Sequence, residues 1–182
     1  MTVLIIDTST ERGLVALGNE MGVVTSEKRL PPGYQNSDYL FPALQALNVD
    51  FKELTLIVCA VGPGSFTGIR VGAAVAKALS FSLHVPLIGV NTLKGFPLPA
   101  LIDAKSGGAY VLDKDTWLRL PLEAALEKVG HDKVYTPNAS QLRLKALGVE
   151  WVECYPSAEK LLHLGVANKT AAQVDGSLSI EY

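Results

Sequence analysis

The sequence predicts an α/β protein of two subdomains, and three observations carry that prediction. Residues 2–7, 12–18 and 23–29 are short runs of strand character separated by turn residues. Apolar runs at 56–61 and 86–90 then bracket a long helical stretch rich in small residues, 67–83. Pro97 and Pro99 break the chain, and beyond them strand and helix patterns begin again on a smaller scale. The first half, 1–97, reads βββαβαβ. The second half, 98–182, reads as a reduced α/β unit. The sequence has no internal repeat and no low-complexity tract.

Each element has a local reason. TVLIID is continuously apolar up to Asp7, RGLVALG follows, and Asn19-Glu20-Met21-Gly22 punctuates before the more polar VVTSEKR. Three short strands joined by tight turns make an antiparallel meander. Pro31-Pro32-Gly33 stops it. Ser37 is the expected N-cap of a first helix, whose stripe is Leu40, Phe41, Leu44 and Leu47. Pro42 lies inside that stretch, so the helix is expected to start near Tyr39 or to kink. In the second half, 109–113 and 116–120 form a hairpin around Lys114-Asp115, 121–129 is helical, and 133–135 and 150–154 are strands. A last helix is expected over 156–165, with Pro156 at its start and Gly165 at its end.

Composition narrows the function. Apolar residues are 48% and charged ones 19%, which places the chain among globular proteins. The net charge of −2 shows no basic surplus, so a chain that grips RNA by itself is not expected. Any RNA contact is delegated to a partner or confined to a small patch. No apolar run approaches the ~18 residues of a membrane span. Cys59 lies in an apolar run and Cys154 has no partner motif, which points to a reducing cytoplasm.

The densest signal is Gly62-Pro63-Gly64-Ser65-Phe66-Thr67-Gly68-Ile69-Arg70-Val71-Gly72, which leaves a buried strand and opens a helix. Gly64, Ser65, Thr67, Gly68 and Arg70 shape this loop. Backbone amides at such a helix start suit an anion, and a tight strand-to-helix turn suits the same residues. No Gly-Lys-Ser/Thr follows, so it is not a Walker loop. Gly68, Gly72, Ala76 and Ser80 recur every four residues as a smooth row beside Ile69, Ala73, Lys77 and Phe81. Such a row either packs on the protein's own sheet or admits a partner's helix. On the second reading the interface comprises Leu40, Phe41, Leu44 and Leu47 with Gly72, Ala73, Ala76 and Lys77, and Ala76→Arg blocks pairing.

A meander followed by alternating helices and strands is the plan of the ribonuclease-H-like actin/sugar-kinase/Hsp70 subdomain. GPGSFTGIRVG, together with IDTST at 6–10, resembles the TsaB family. The resemblance continues through Gly89-Val90-Asn91-Thr92-Leu93, Ile102-Asp103-Ala104-Lys105-Ser106-Gly107, residues 156–164 and the terminal Ile180-Glu181-Tyr182. It implies a protein without catalysis of its own. Such a protein pairs through its two N-terminal helices with the paralogue TsaD, which transfers threonylcarbamoyl to adenosine 37 of tRNA. It further implies that a TsaE-like ATPase joins the pair, that the chain forms a homodimer when alone, and that ATP or ADP belongs to interfaces shared with partners. The sequence departs from the family at Asn36, where many members have histidine, and at Gly108, where glutamate is usual. Its second half is short.

The ionisable residues agree with an absence of catalysis. His84, His131 and His163 have no ligand partner at i+3 or i+4, so no metal site is expected. Asp7 ends the first strand and Asp103 opens the second half, where kinases of this fold hold phosphate and magnesium. Their flanks, Thr8-Ser9-Thr10 and Ala104-Lys105-Ser106, lack the glycines of phosphate loops. They are expected to be vestigial, and Ser65 has no histidine nearby in sequence to activate it. The alternative is a small ATP-dependent kinase-like protein using Asp7 and Asp103.

Overall fold

The apolar runs at the start of the chain form an antiparallel meander, β1 (Thr2–Asp7), β2 (Leu14–Asn19) and β3 (Val24–Arg29). In the computed structural model these strands join β4 (Leu54–Ala60) and β5 (Leu87–Val90), both parallel to β1, in the order β3-β2-β1-β4-β5. The structure describes residues 2–33, 36–105, 107–113, 116–130, 132–139, 148–174 and 178–179. The hairpin turn Lys114-Asp115, His131 and the terminal Ile180-Glu181-Tyr182 lie outside these.

Two helices cover one face of the sheet. α1 (Asn36–Ala46) begins at Asn36, ahead of the expected start, and Ser37 lies within it. The reason is Asn36 itself: its buried side chain donates to the carbonyls of Thr8 (3.0 Å) and Thr10 (2.7 Å), which anchors the first turn. Pro42 sits inside the helix on its exposed side, where water serves the carbonyl that the proline leaves unpaired. α2 (Phe66–Leu83) runs from the Ser65 N-cap to His84 in the left-handed region, φ 56°. Leu40, Leu44, Leu47 and Ala76 meet Leu4, Ile6, Ile57 and Cys59 of the sheet in one core. By length and composition α2 is apolar enough to cross a membrane. Both of its ends, however, return to neighbouring strands of the sheet on which it packs, which is the place of a crossover helix.

The second half repeats the plan. β6 (Leu101–Asp103), β7 (Gly108–Asp113) and β8 (Thr116–Pro121) form an antiparallel meander, followed by α3 (Leu122–Val129). β9 (Lys133–Thr136) and β10 (Glu150–Glu153) are parallel, and a parallel bridge from Ala100 to Tyr135 sets β9 beside β6. The sequence β8-β7-β6-β9-β10 thus mirrors the first sheet, a duplication of topology with no trace in the residues.

The final helix, α4 (Ala158–Ala167), starts two residues later than the expected Pro156. Ser157 is its N-cap, and its hydroxyl accepts from Lys160 N at 3.2 Å. Gly165 does not end the helix. It lies buried inside, where a Cβ would run into Val58. α4 packs beneath the first sheet, with Ala158, Leu161 and Leu162 against Val3, Ile5 and Val58. A division at residue 97 therefore separates the sheets but not the packing. Polar struts tie the halves further. Arg12 pairs with Glu153 and donates from Nε to the Pro137 carbonyl at 2.9 Å. Arg12 and Arg29 both lie over the Tyr155 ring, at 5.2 and 5.0 Å, and the Tyr155 hydroxyl donates to the Leu30 carbonyl at 2.8 Å. Lys160 Nζ donates to the Phe96 carbonyl at 2.8 Å.

Candidate functional site

The glycine-rich loop is occupied by the chain itself. Ser65 N donates to the Ser9 carbonyl at 2.6 Å, and Ser65 Oγ accepts from Gly68 N at 3.3 Å. A Cβ on Gly64 would strike that Ser9 carbonyl, and one on Gly68 would strike the carbonyl of Thr8. Thr8 Oγ1 donates to Gly68 O at 2.7 Å and lies where a Gly72 side chain would start. The missing side chains of Gly64, Gly68 and Gly72 therefore make room for residues 8 and 9. Of the two readings the sequence leaves open, the geometry fits the tight turn. Thr67 and Arg70 face outward, and the Arg70 guanidinium lies 5.1 Å over the Phe66 ring.

Asp7 is sealed beneath this turn. It is fully buried, and Oδ1 accepts from Ser9 N (2.9 Å) and Ser9 Oγ (2.5 Å). Thr92 Oγ1 donates onward to Ser9 Oγ at 2.9 Å and accepts from Gly62 N at 3.1 Å. Oδ2 is buried without a hydrogen-bond partner. Burial pushes the carboxyl up from 3.8 to about 6, against the smaller opposing pull of the two Ser9 hydrogen bonds. The same burial, with the Asp7 charge nearby, raises the Cys59 thiol to about 12, so Cys59 is an inert core thiol.

Asp103 stands elsewhere. It ends β6, half-buried, and Oδ1 accepts from Lys105 N at 3.2 Å. It lines a cleft of 310 Å³ between the halves, with Ser9, Thr10, Glu11, Ser65, Phe66, Lys105 and Tyr110 on the other walls. Asp7 does not reach this cleft. The pair that a magnesium-dependent kinase needs is thus divided between a buried site and an open one. Among the described residues no group of three or more His, Cys, Asp and Glu is placed to hold a metal. His84 and His163 are exposed on separate elements.

The helical face differs from the expected one. Leu40, Leu44, Leu47, Gly72, Ala73 and Ala76 are all buried within this fold, so they are not a partner surface in the folded chain. Of the eight expected interface residues only Phe41, 61% exposed, and the half-buried Lys77 reach the outside. The outward row of α2 is Phe66 (56% exposed), Arg70, Ala74, Ala78 and Phe81 (71%). A groove of 270 Å³ runs between the helices, walled by Phe41, Leu44, Phe51, Val75 and Leu79. The cause lies in the connectivity: α2 links two adjacent buried strands, so its small row must lie on the sheet and its large row must face away. Phe66, Phe81, Ser9 and Thr92 were not singled out from sequence as functional residues. A rule that puts the bulkier row of a crossover helix outward finds the two phenylalanines. Nothing local signals Thr92, whose hydroxyl meets Ser9 across 83 residues of chain.

Comparison with known proteins gives this geometry a context. A family model, "TsaD: tRNA N6-adenosine threonylcarbamoyltransferase", matches residues 38–112. The "tRNA threonylcarbamoyladenosine biosynthesis protein TsaB" of Escherichia coli (strain K12) is 29% identical over 172 residues, 84% of this chain and 70% of that protein. The protein of the same name from Bacillus subtilis (strain 168) is 33% identical over 123 residues, 60% of this chain and 53% of that one. The structure of YeaZ from Pseudomonas aeruginosa superimposes with a TM-score of 0.73 over 100% of this chain and 99% of that one, at 22% identity. That likeness shows a shared α/β fold.

Proposed function

We propose that this chain, which resembles the TsaB proteins of Escherichia coli and Bacillus subtilis, is the non-catalytic partner of a TsaD-like transferase in forming N6-threonylcarbamoyladenosine at position 37 of tRNA. One observation carries the reading. The Gly64 position of the loop is packed against the Ser9 carbonyl, whereas the α1–α2 face presents Phe41 and Phe81 to solvent. Phe41 and Phe51, both exposed, flank an apolar groove, which suits a protein partner. The occupant is the TsaD-like paralogue, and a second copy of this chain takes the same face when the paralogue is absent. A TsaE-like ATPase joins the pair. ATP or ADP binds at surfaces shared with partners and not to this chain alone. The net charge of −2 fits a chain that meets tRNA only within the complex. The setting is cytoplasmic.

A kinase-like reading needs Asp7 open to a nucleotide's metal. The carboxyl is buried and close to neutral at mildly acid pH, which disfavours that role.

The test is co-purification of this chain with its organism's TsaD-like protein, followed by threonylcarbamoyl transfer to tRNA with and without this chain. Pairing, and transfer that needs both chains, is the expected result. ATP and magnesium binding by this chain alone, without pairing, overturns it. The double variant Phe41→Asp/Phe81→Asp is expected to weaken pairing by roughly 100-fold, the loss of two aromatic anchors at about 1.4 kcal/mol per decade. Its stability is expected to stay within about 0.5 kcal/mol of the parent, because both rings are already in water. Isothermal titration and thermal unfolding read the two effects separately.

A further inference from the structure

The two helices of the exposed face start from one turn of chain. α1 begins at Asn36, whose side-chain nitrogen forks between the carbonyls of Thr8 (3.0 Å) and Thr10 (2.7 Å). α2 is held by the carbonyl between those two, since Ser65 N donates to Ser9 O at 2.6 Å. Thr8 reaches α2 a second time, its hydroxyl donating to Gly68 O at 2.7 Å. Asn36, Thr8, Ser9 and Thr10 are all buried. Three consecutive carbonyls thus fasten the first turns of both helices. The lead-in to α1 is tied to the next residue, Gly33 N donating to Glu11 O at 2.8 Å. Asn36 Oδ1 is buried without a hydrogen-bond partner. A buried acceptor left unmade costs stability, so the amide is kept there for its two N–H donors.

Further along, the helices part. The groove of 270 Å³ between them is walled by Phe41 and Leu44 of α1 and by Val75 and Leu79 of α2. Apolar contact is non-directional and fixes no angle, whereas hydrogen bonds at the start of a helix do. From Ser65 to Leu79 the helix runs about 20 Å, at roughly 1.5 Å per residue. A tilt of about 3° at the shared turn therefore moves the groove wall by about 1 Å, enough to spoil a packed contact.

We infer that Asn36 is the positioning residue of this face: through the carbonyls of Thr8–Thr10 it locks α1 and α2 at a common apex and so sets the width of the groove that the partner meets. The inference rests on the reading of that face as the pairing surface. It adds that a buried residue, which itself touches no partner, governs the fit.

Two isosteric variants of the full chain test this. Asn36→Asp keeps the shape and removes both N–H donors. Thr8→Val removes the hydroxyl bond to Gly68 O and leaves the Thr8 carbonyl in place. Either suffices should the other fail to fold. Amide hydrogen exchange is followed at Leu40 in α1, at Ser65 and Ile69 at the start of α2, and at Ile57 in β4 as reference. Asn36→Asp is expected to lower protection roughly tenfold at Leu40, and also at Ser65 and Ile69, which Asn36 does not touch, while Ile57 keeps its own. Thr8→Val is expected to lower it at Ile69 and, through the same turn, at Leu40. Acid is expected to restore the Asp variant in part, because a protonated carboxyl again has an O–H to donate; a side chain that only fills space gives no such recovery. Affinity of both variants for the TsaD-like protein, read by isothermal titration, is expected to fall roughly tenfold. Loss of protection at Leu40 with α2 unmoved overturns the common apex. Loosened helices with parental affinity overturn its control of the groove. Equal loss at Ile57 also overturns the inference, since Asn36 would then anchor the whole fold and not this face. Exchange needs no partner, so a parent chain that fails to pair overturns the pairing reading while the exchange data still decide the apex.

Discussion

Ala76→Arg is expected to leave the chain unfolded rather than merely unpaired. Ala76 is 0% exposed and faces the sheet in the first core. The guanidinium would be forced into a space lined by Leu, Ile and Val side chains. Overfilling costs about 1–3 kcal/mol, and an uncompensated buried charge adds about 3–5 kcal/mol. The sum is comparable to the whole stability of an ordinary domain, about 5–15 kcal/mol. Ala78→Arg provides the contrast, since Ala78 lies on the exposed row of the same helix. It is expected to fold within about 0.5 kcal/mol of the parent and to lose pairing instead. Circular dichroism with a pairing assay separates the two. An Ala76→Arg protein that folds normally and fails only to pair would show that the small row is the interface after all.

The second large effect concerns pH. Asp7 titrates near 3.8 when unfolded and at about 6 when folded. Between those values the native state holds the proton more tightly, so this group's contribution is complete below about pH 4 and is lost as the pH rises through 6. A shift of roughly two units corresponds to about 3 kcal/mol. Asp7→Asn should remove that slope, because the amide oxygen still accepts from Ser9 and no charge is buried. At pH 8 the variant is expected to be more stable than the parent by about 1–2 kcal/mol, the remainder being offset by an amide N–H₂ without an acceptor. Denaturant melts at pH 4, 6 and 8 would show it. Destabilisation of the Asn variant at pH 8 would mean that the ionised carboxylate has a stabilising partner, as a cation-binding aspartate does.

Much of the fold was legible because local patterns and global fold agree. The meander came from two apolar runs, a third alternating and polar one, and the turns between them. The crossover came from a small-residue helix between two buried strands. The failures have physical causes too. Ser37 lost its capping role because the buried amide of Asn36, bonded to Thr8 and Thr10, starts the helix one residue earlier. Gly165 looked like a terminator, yet its missing side chain serves contact with Val58, a residue far away in sequence. The same ambiguity misplaced the partner face. Gly72 and Ala76 are small because Thr8 and the sheet press on them, and sequence alone does not say which neighbour requires the space. The duplicated topology was hidden because topology depends on strand order, and the two halves share hardly any residue pattern by which to recognise it.

The struts between the halves have a mechanical consequence. A cleft of 310 Å³ separates the halves like an open jaw. Here, opening the jaw would break the Arg12–Glu153 pair, pull Tyr155 from between two guanidiniums and drag α4 off the underside of the first sheet. Widening the cleft therefore costs several contacts at once, so the two halves are coupled as one mechanical unit.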